Sequence, residues 1–103
     1  MKQPVRRFRV PEPLAALIRS LHPRIKRKLR AALDEIASNP DAGKSLRDEL
    51  AGLRSLRLGK YRAIYRVRAG RRIDLVAFGP REGIYEETYR LISEQSRAEK
   101  SDK

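Results

Sequence analysis

The residues of this chain best suited to chemistry on an anion are arginines, and they are concentrated in its second half. Between Arg54 and Arg81 there are nine basic residues and one acidic residue, Asp74. A guanidinium group presents a planar set of donors that fits phosphate oxygens, so this segment favours a phosphate-containing partner. A charged face that is simply solvated is the alternative. The nine basic residues are Arg54, Arg57, Lys60, Arg62, Arg66, Arg68, Arg71, Arg72 and Arg81.

A second basic segment runs from Arg19 to Arg30, with six basic residues and no acid. It falls on the outer face of a predicted pair of helices, where solvated side chains are the simplest interpretation. A further phosphate-binding ridge is the functional alternative. Residues 82–103 differ, because they hold six acidic and four basic residues.

Length and composition restrict the class of protein. The 103 residues, with 25 basic and 13 acidic side chains and a net charge of +12, predict a single domain over 1–103. The chain has no cysteine and one histidine, His22, which excludes thiolate and multi-histidine metal sites, so we expect neither metal nor cofactor. No apolar run approaches the roughly 20 residues of a membrane span. We therefore expect a cytoplasmic protein with no membrane partner.

Hydrophobic periodicity and turn residues predict the element order β-α-α-β-β-β-α. Proline closes the first strand and opens the first helix, and Asn39-Pro40 ends the second helix. Residues 44–50 are predicted as a helical turn or a loop, 69–71 as a tight turn, and the tail from about 96 as polar and frayed. The predicted strands are 5–10, 53–58, 61–68 and 72–78, and the predicted helices are 14–21, 23–38 and 84–95.

The fold class that follows is α+β, with an N-terminal strand, a helical hairpin, an antiparallel β-meander and a C-terminal helix, and with the helices on one face of the sheet. Strand alternation separates two sets of side chains in the central strand. The more apolar set, which we expect to face the helices, is Tyr61, Ala63, Tyr65 and Val67. The opposite face carries Arg62, Ile64, Arg66 and Arg68 and is predicted to form a basic, partly open concavity.

Two segments resemble the RelE/ParE superfamily of toxins. The run from Leu56 to Tyr65, with its Gly-Lys-Tyr-Arg-Ala-Ile-Tyr sequence, is similar to the central strand pair of that superfamily. The run from Phe78 to Tyr85, with Gly-Pro-Arg, is similar to its closing motif. The element order agrees, and the resemblance covers about 5–92. It implies a toxin of a type II toxin–antitoxin pair, neutralised by an antitoxin that wraps its surface and often covers or displaces the last helix.

The resemblance leaves the target of the toxin open. The RelE branch implies an endoribonuclease that cleaves messenger RNA on the ribosome and inhibits translation. The ParE branch implies a protein that poisons DNA gyrase. A homologue that has lost activity and only binds RNA or its antitoxin is the third alternative. The RelE-like interpretation is favoured, because Arg62, Arg81 and Tyr85 are all present. RNA can be cut without a metal by its own 2′-hydroxyl when the phosphate charge is stabilised.

Candidate roles follow from that chemistry. Arg62 and Arg81 are predicted to hold the scissile phosphate with help from Arg57, because arginine stabilises charge but does not release its proton. Tyr85 is predicted to accept a proton or to stack on a base, with a half-buried structural tyrosine as the alternative. Surface pairing, for instance with Glu82, is the alternative for the two arginines. Further RNA contacts are predicted for Arg54, Lys60, Arg66 and Arg68.

This chain departs from the RelE pattern at two positions. Arg57 and Ser55 stand where active RelE-type enzymes often carry lysine. A lysine can shift its pKa enough to move a proton, whereas an arginine cannot. The identity of the general acid and base therefore stays open.

Overall fold

A computed structural model describes residues 7–69 and 71–101, with the main chain alone for 95–101. The strands are β1 (Arg7–Arg9), β2 (Lys44–Ser45), β3 (Arg54–Leu58), β4 (Tyr61–Arg68) and β5 (Arg72–Pro80). The helices are α1 (Glu12–Arg19), α2 (Pro23–Ser38) and α3 (Ile84–Ser101), and a short 3₁₀ turn spans Asp48–Leu50. None of the helices in the described ranges is long and apolar enough to cross a membrane.

The α+β class and the element order are confirmed, and several boundaries agree with the prediction. Both α2 and β4 begin and end where the sequence places them. Three segments differ most. Helix α1 spans Glu12–Arg19 instead of 14–21, because Pro13 fits the first turn of a helix, residues 44–50 hold a two-residue strand and a 3₁₀ turn, and α3 continues to Ser101. The predicted ends of β1, β3 and β5 are off by smaller amounts, since β1 ends at Arg9, β3 starts at Arg54 and β5 continues to Pro80. Val5 and Gly70, which belong to the predicted first strand and tight turn, lie outside the described residues.

The sheet is mixed, with the strand order β1-β5-β4-β3-β2. Strands β3, β4 and β5 form the predicted antiparallel meander, and β1 joins its edge in parallel to β5. Between β3 and β4, Gly59 has a φ of +65°, a conformation that glycine adopts without steric cost. This turn places Lys60 at the end of the sheet, where its carbonyl oxygen accepts a hydrogen bond from the Arg81 amide at 2.7 Å.

The helical hairpin covers one face of the sheet. Leu29 and Ile36 of α2 pack with Ala63, Tyr65 and Leu75 of the central strands in one buried core. The side chains that alternation assigned to the helix-facing side of β4 are those that join this core, apart from Val67, which is exposed.

The last helix packs against the opposite face, which differs from the expected arrangement of all helices on one side. Ile84 of α3 joins Leu53, Ile64 and Ala77 in a second buried core. The reason lies in β4, where the consecutive residues Ala63, Ile64 and Tyr65 are each 0 % exposed, so both faces of the strand must be covered. Consequently α3 begins on the same face as the arginines of β4.

Candidate functional site

A row of residues crosses the sheet at the end nearest the β3–β4 turn. Arg57 of β3 pairs with Arg62 of β4, which pairs with Gly79 of β5. Directly opposed residues have Cβ atoms about 4.5–5.5 Å apart, so the two arginines are close neighbours on one face. Like charges at this spacing repel, which makes the row a place where an anion stabilises the fold.

Arg81 lies beside this row. It follows the last residue of β5, and its amide donates to Lys60, which continues the β4–β5 ladder one step past the pair Tyr61–Pro80. Arg81 is two residues beyond Gly79, in the turn between β5 and α3, and this hydrogen bond keeps its backbone at the end of the ladder. The register therefore brings Arg57 and Arg62 together on one face, with Lys60 and the backbone of Arg81 at the same end of the sheet.

Tyr85 reaches the same place from the first turn of α3. Its hydroxyl donates to Ser55 Oγ at 3.2 Å, and Arg62 Nη1 donates to the same oxygen at 3.2 Å. The Arg62 guanidinium carbon lies 5.9 Å from the centre of the Tyr85 ring, within the range of a cation–π interaction. The phenol and the guanidinium are thus held together through Ser55, which is 2 % exposed.

The cations of this cluster have no carboxylate partners within the described part of the chain. Ion pairs there involve Arg19, Arg54, Arg68, Arg72 and Arg90, but not Arg57, Lys60, Arg62 or Arg81. The Arg62 Nε atom is also buried, with no hydrogen-bond partner among the described residues. A buried donor without an acceptor is costly, so the cluster is suited to an anion that supplies one.

Arg54 is not brought to this cluster. It pairs across the strands with Tyr65, which faces the helical hairpin, so Arg54 lies on the opposite face of the sheet. Its Nε donates to the Gly43 carbonyl oxygen at 3.1 Å, and its Nη2 lies 3.8 Å from Asp41. These contacts give Arg54 a structural role in joining the loop after α2 to the sheet.

Arg66 and Arg68 share the face of Arg62 but lie at the other end of β4. Four residues along a strand span about 13 Å, which separates Arg66 from Arg62. Arg68 Nε donates to Asp74 Oδ2 at 2.6 Å, and Arg66 is the cross-strand partner of Asp74. Asp74 therefore balances part of the positive charge at this end of the sheet, whereas no acid pairs with Arg57 or Arg62 at the other end among the described residues.

Ser55 is the member of the site whose role the sequence did not reveal. Alternation along β3 does place Ser55 and Arg57 on one face, which was a usable signal. Its contact with Tyr85 depends on the position of α3, however, and strand periodicity carries no information on that position. Among the described residues, no group of three or more acidic, histidine or cysteine side chains is placed to hold a metal ion.

A groove of about 970 Å³ lies elsewhere, along the edge of β5 between α1 and α3. Strand β1 covers β5 only at residues 72–74, so the following part of this edge has no neighbouring strand among the described residues. Leu14 and Leu17 of α1 and Ile84 and Leu91 of α3 line the groove. Its lining is largely apolar, and it does not include Arg57, Arg62, Arg81 or Tyr85.

Solved structures of RelE toxins have folds similar to that of this chain. The RelBE2 toxin–antitoxin complex of Mycobacterium tuberculosis matches with 28% identity and a TM-score of 0.66, over 75% of this chain and 99% of that one. A mutant of the E. coli toxin RelE in the free state matches with 20% identity and a TM-score of 0.70, over 88% and 97%. The archaeal RelE–RelB complex of Pyrococcus horikoshii matches with 24% identity and a TM-score of 0.61, over 76% and 97%.

The sequence also matches a protein family directly. Residues 9–85 match the family described as the ParE toxin of the type II toxin–antitoxin system parDE. Among curated proteins, none matches the sequence. The family match spans well over half of the chain, and the fold of the chain is similar to that of RelE. This chain therefore belongs to the RelE/ParE superfamily and is a toxin of a type II toxin–antitoxin system.

Proposed function

We propose that this toxin is an endoribonuclease that cleaves messenger RNA on the ribosome and so inhibits translation. The observation that carries the proposal is the cluster in which Arg57 and Arg62 share one face beside Tyr85, with Arg81 at the same end of the sheet and no carboxylate partners among the described residues. Such a cluster can bind a phosphate and stabilise the charge that develops on it.

The reaction uses groups that the cluster and the RNA supply. The 2′-hydroxyl of the RNA gives up its proton and attacks the adjacent phosphorus in line. The bond to the 5′-oxygen of the next nucleotide breaks, that oxygen takes up a proton, and a 2′,3′-cyclic phosphate forms. Arg62 and Arg81 stabilise the phosphorane, and Arg57 adds positive charge. Tyr85 lies where its ring can stack on a base or its hydroxyl can exchange a proton with the RNA. No step requires a metal or a cofactor, and the ribosome places the reaction in the cytoplasm.

Gyrase inhibition is the second candidate, and one observation favours it. The family that residues 9–85 match takes its name from ParE. Arg57 and Ser55, in place of the lysines of RelE-type enzymes, also leave the proton-transfer groups unassigned. In that case the basic cluster would contact gyrase or its DNA rather than a scissile phosphate in RNA.

One expression experiment separates the two candidates. The chain is induced in cells without an antitoxin, and the ends of translated messages are mapped by primer extension. We expect cuts in phase with codons, in messages that are translated and not in the same message lacking its start codon. Gyrase–DNA cleavage complexes and an SOS response without such cuts would contradict the ribonuclease proposal. Growth without arrest would identify an inactive homologue.

We further propose that a cognate antitoxin binds this chain, as RelB binds RelE in the solved complexes. The groove between α1 and α3 is a suitable surface, because Leu17 and Leu91 are 44 % and 37 % exposed there. Exposed apolar side chains that line a groove are typical of protein interfaces. Co-expression with the product of a neighbouring small gene should restore growth for the wild type but not for a Leu17→Asp, Leu91→Asp double variant.

A further inference from the structure

We infer that Ser55 is a positioning residue, whose buried hydroxyl holds Arg62 and Tyr85 in the arrangement in which they meet the substrate phosphate. The inference rests on the proposed function, because it assigns Ser55 a part in that same reaction. Its basis is the pair of hydrogen bonds at 3.2 Å that end on one oxygen.

The two bonds use the full accepting capacity of Ser55. A serine hydroxyl has two acceptor lone pairs, and Arg62 Nη1 and the Tyr85 hydroxyl each donate to it. The guanidinium of Arg62 and the ring of Tyr85 also contact each other, so each of the three side chains touches the other two. Two side chains from different elements, β4 and α3, are therefore fixed relative to each other through a residue of β3.

Fixing these side chains in advance favours the reaction. A free arginine has several rotatable bonds, and ordering it at the moment of binding or reaction has an entropic cost. Groups that already stand in the productive geometry lower the barrier, because this ordering is complete before the substrate reacts. Ser55 is suited to this task since it is buried at 2 % exposure and belongs to a paired strand.

The uncharged nature of Ser55 matters for the phosphate. A carboxylate at this position would hold Arg62 equally well, but it would neutralise the guanidinium, as Asp74 does for Arg68. A lysine, which active RelE-type enzymes often carry here, would place a second cation beside Arg62. A hydroxyl accepts hydrogen bonds without either effect, so the positive charge of Arg62 stays available to the substrate.

The test compares two variants that remove the acceptor. Ser55→Ala deletes the hydroxyl, and Ser55→Cys keeps nearly the same volume with a weak acceptor, which guards against a packing defect. In steady-state cleavage of messenger RNA on programmed ribosomes, we expect both to lower kcat roughly 10- to 100-fold and leave KM nearly unchanged. KM should persist because exposed cations such as Arg57 supply most of the RNA binding.

A matched control is Thr88→Val. Thr88 is also a buried hydroxyl near the start of α3, but its Oγ1 donates to the Ile84 carbonyl oxygen at 2.7 Å, within its own helix. We expect this variant to keep the wild-type kcat. Wild-type kcat in both Ser55 variants would overturn the inference, and so would an equal loss in Thr88→Val.

A double-mutant cycle separates the inference from the proposed function. Ser55→Ala should raise the unfolding equilibrium constant about tenfold in the wild type and clearly less in a Tyr85→Phe background, since the Tyr85 hydroxyl is then already absent. If the effects of the two substitutions on unfolding are not additive but the wild type cleaves no RNA, the ribonuclease proposal is wrong. The contact between Ser55, Arg62 and Tyr85 would still be supported. If the wild type cleaves RNA but Ser55→Ala changes the unfolding equilibrium equally in the wild-type and Tyr85→Phe backgrounds, the positioning role of Ser55 is wrong.

Discussion

The arginines of the sheet differ chiefly in whether a carboxylate lies beside them. Arg68 donates to Asp74 and Arg54 lies near Asp41, so their charges are balanced within the fold. Arg62 instead donates to the neutral Ser55, and its Nε has no partner among the described residues. A guanidinium that is fixed but not neutralised has its charge left for a ligand, which separates candidate site residues from structural ones.

The first prediction concerns Arg81 and Arg62. Replacing either with alanine removes charge stabilisation from the phosphate and should lower kcat about 10²- to 10³-fold, which abolishes growth arrest. Arg81 is exposed and its backbone hydrogen bond to Lys60 is retained, so the free energy of unfolding of Arg81→Ala should change by less than about 0.5 kcal/mol. Growth assays after induction and thermal unfolding measure the two effects.

Arg90→Ala is the matched control for these variants. Arg90 is an exposed arginine of α3 that pairs with Glu87, outside the cluster. We expect it to arrest growth like the wild type. Undiminished arrest by Arg81→Ala would show that Arg81 has no part in the activity.

At the scale of the elements, Tyr65 joins the loop after α2 to the sheet. This fully buried side chain of β4 accepts a hydrogen bond from the Gly43 amide at 2.8 Å and donates to the Pro40 carbonyl oxygen at 2.7 Å. A Cβ atom on Gly43 would lie 2.7 Å from the Tyr65 hydroxyl, so only glycine allows this approach. The loop after α2 is thereby fixed to the strand that carries Arg62.

The second prediction is a pH dependence of this contact. Burial raises the pKa of Tyr65, since the phenolate would lose its hydration. The unfolded chain releases this proton near pH 10, before the folded protein does, so the stability that Tyr65 contributes is complete below about pH 10 and is lost as the pH rises further. Tyr65→Phe should be about 1–3 kcal/mol less stable than the wild type at pH 8, and the difference should shrink by pH 11.

Urea unfolding of both proteins at pH 8 and pH 11 measures this difference. A difference that is the same at both pH values would contradict the assignment of the raised pKa to the folded state of Tyr65.

Local signals predicted the elements well, and long-range packing explains the differences. Pro23 and Asn39-Pro40 mark the ends of α2 by removing helical conformations, and Gly59 marks the turn before β4. The parallel pairing of β1 with β5, and the packing of α3 on the face of the sheet that carries Arg62, depend on contacts between segments that are distant in the sequence. The placement of Arg62 opposite Gly79 follows from the meander, whereas the joint contact of Ser55 with Arg62 and Tyr85 required the position of α3.

The positive charge of the whole molecule extends from the sheet to the helical hairpin. The chain has a net charge of +12, and the second basic segment lies on α2, whose Lys28 Nζ is 3.5 Å from the position of a Cβ on Gly59. Lys28 therefore connects the basic face of α2 with the turn that carries Lys60. A protein with this much positive charge attracts a nucleic-acid backbone.

The third prediction is a salt dependence of RNA binding. With a single-stranded RNA that carries a 2′-O-methyl group at the cleavage position, log K should fall linearly with log salt concentration. Lys60→Ala and Arg57→Ala should each make this slope shallower by about 0.7, the value for one phosphate contact. Arg72→Ala, an exposed arginine near Asp74 at the far end of β5, should leave the slope unchanged. Equal changes in all three variants would contradict a localised phosphate site.

The chemistry of the RNA ends that the purified wild-type toxin produces, on a ribosome programmed with a defined message, tests the proposed reaction. Attack by the 2′-hydroxyl under the control of Arg62 and Arg81 predicts a 2′,3′-cyclic phosphate on one fragment and a 5′-hydroxyl on the other. It also predicts no cleavage of a message with a 2′-deoxy nucleotide at that position. Fragments that end in a 3′-hydroxyl and a 5′-phosphate, or an uncut message, would contradict it.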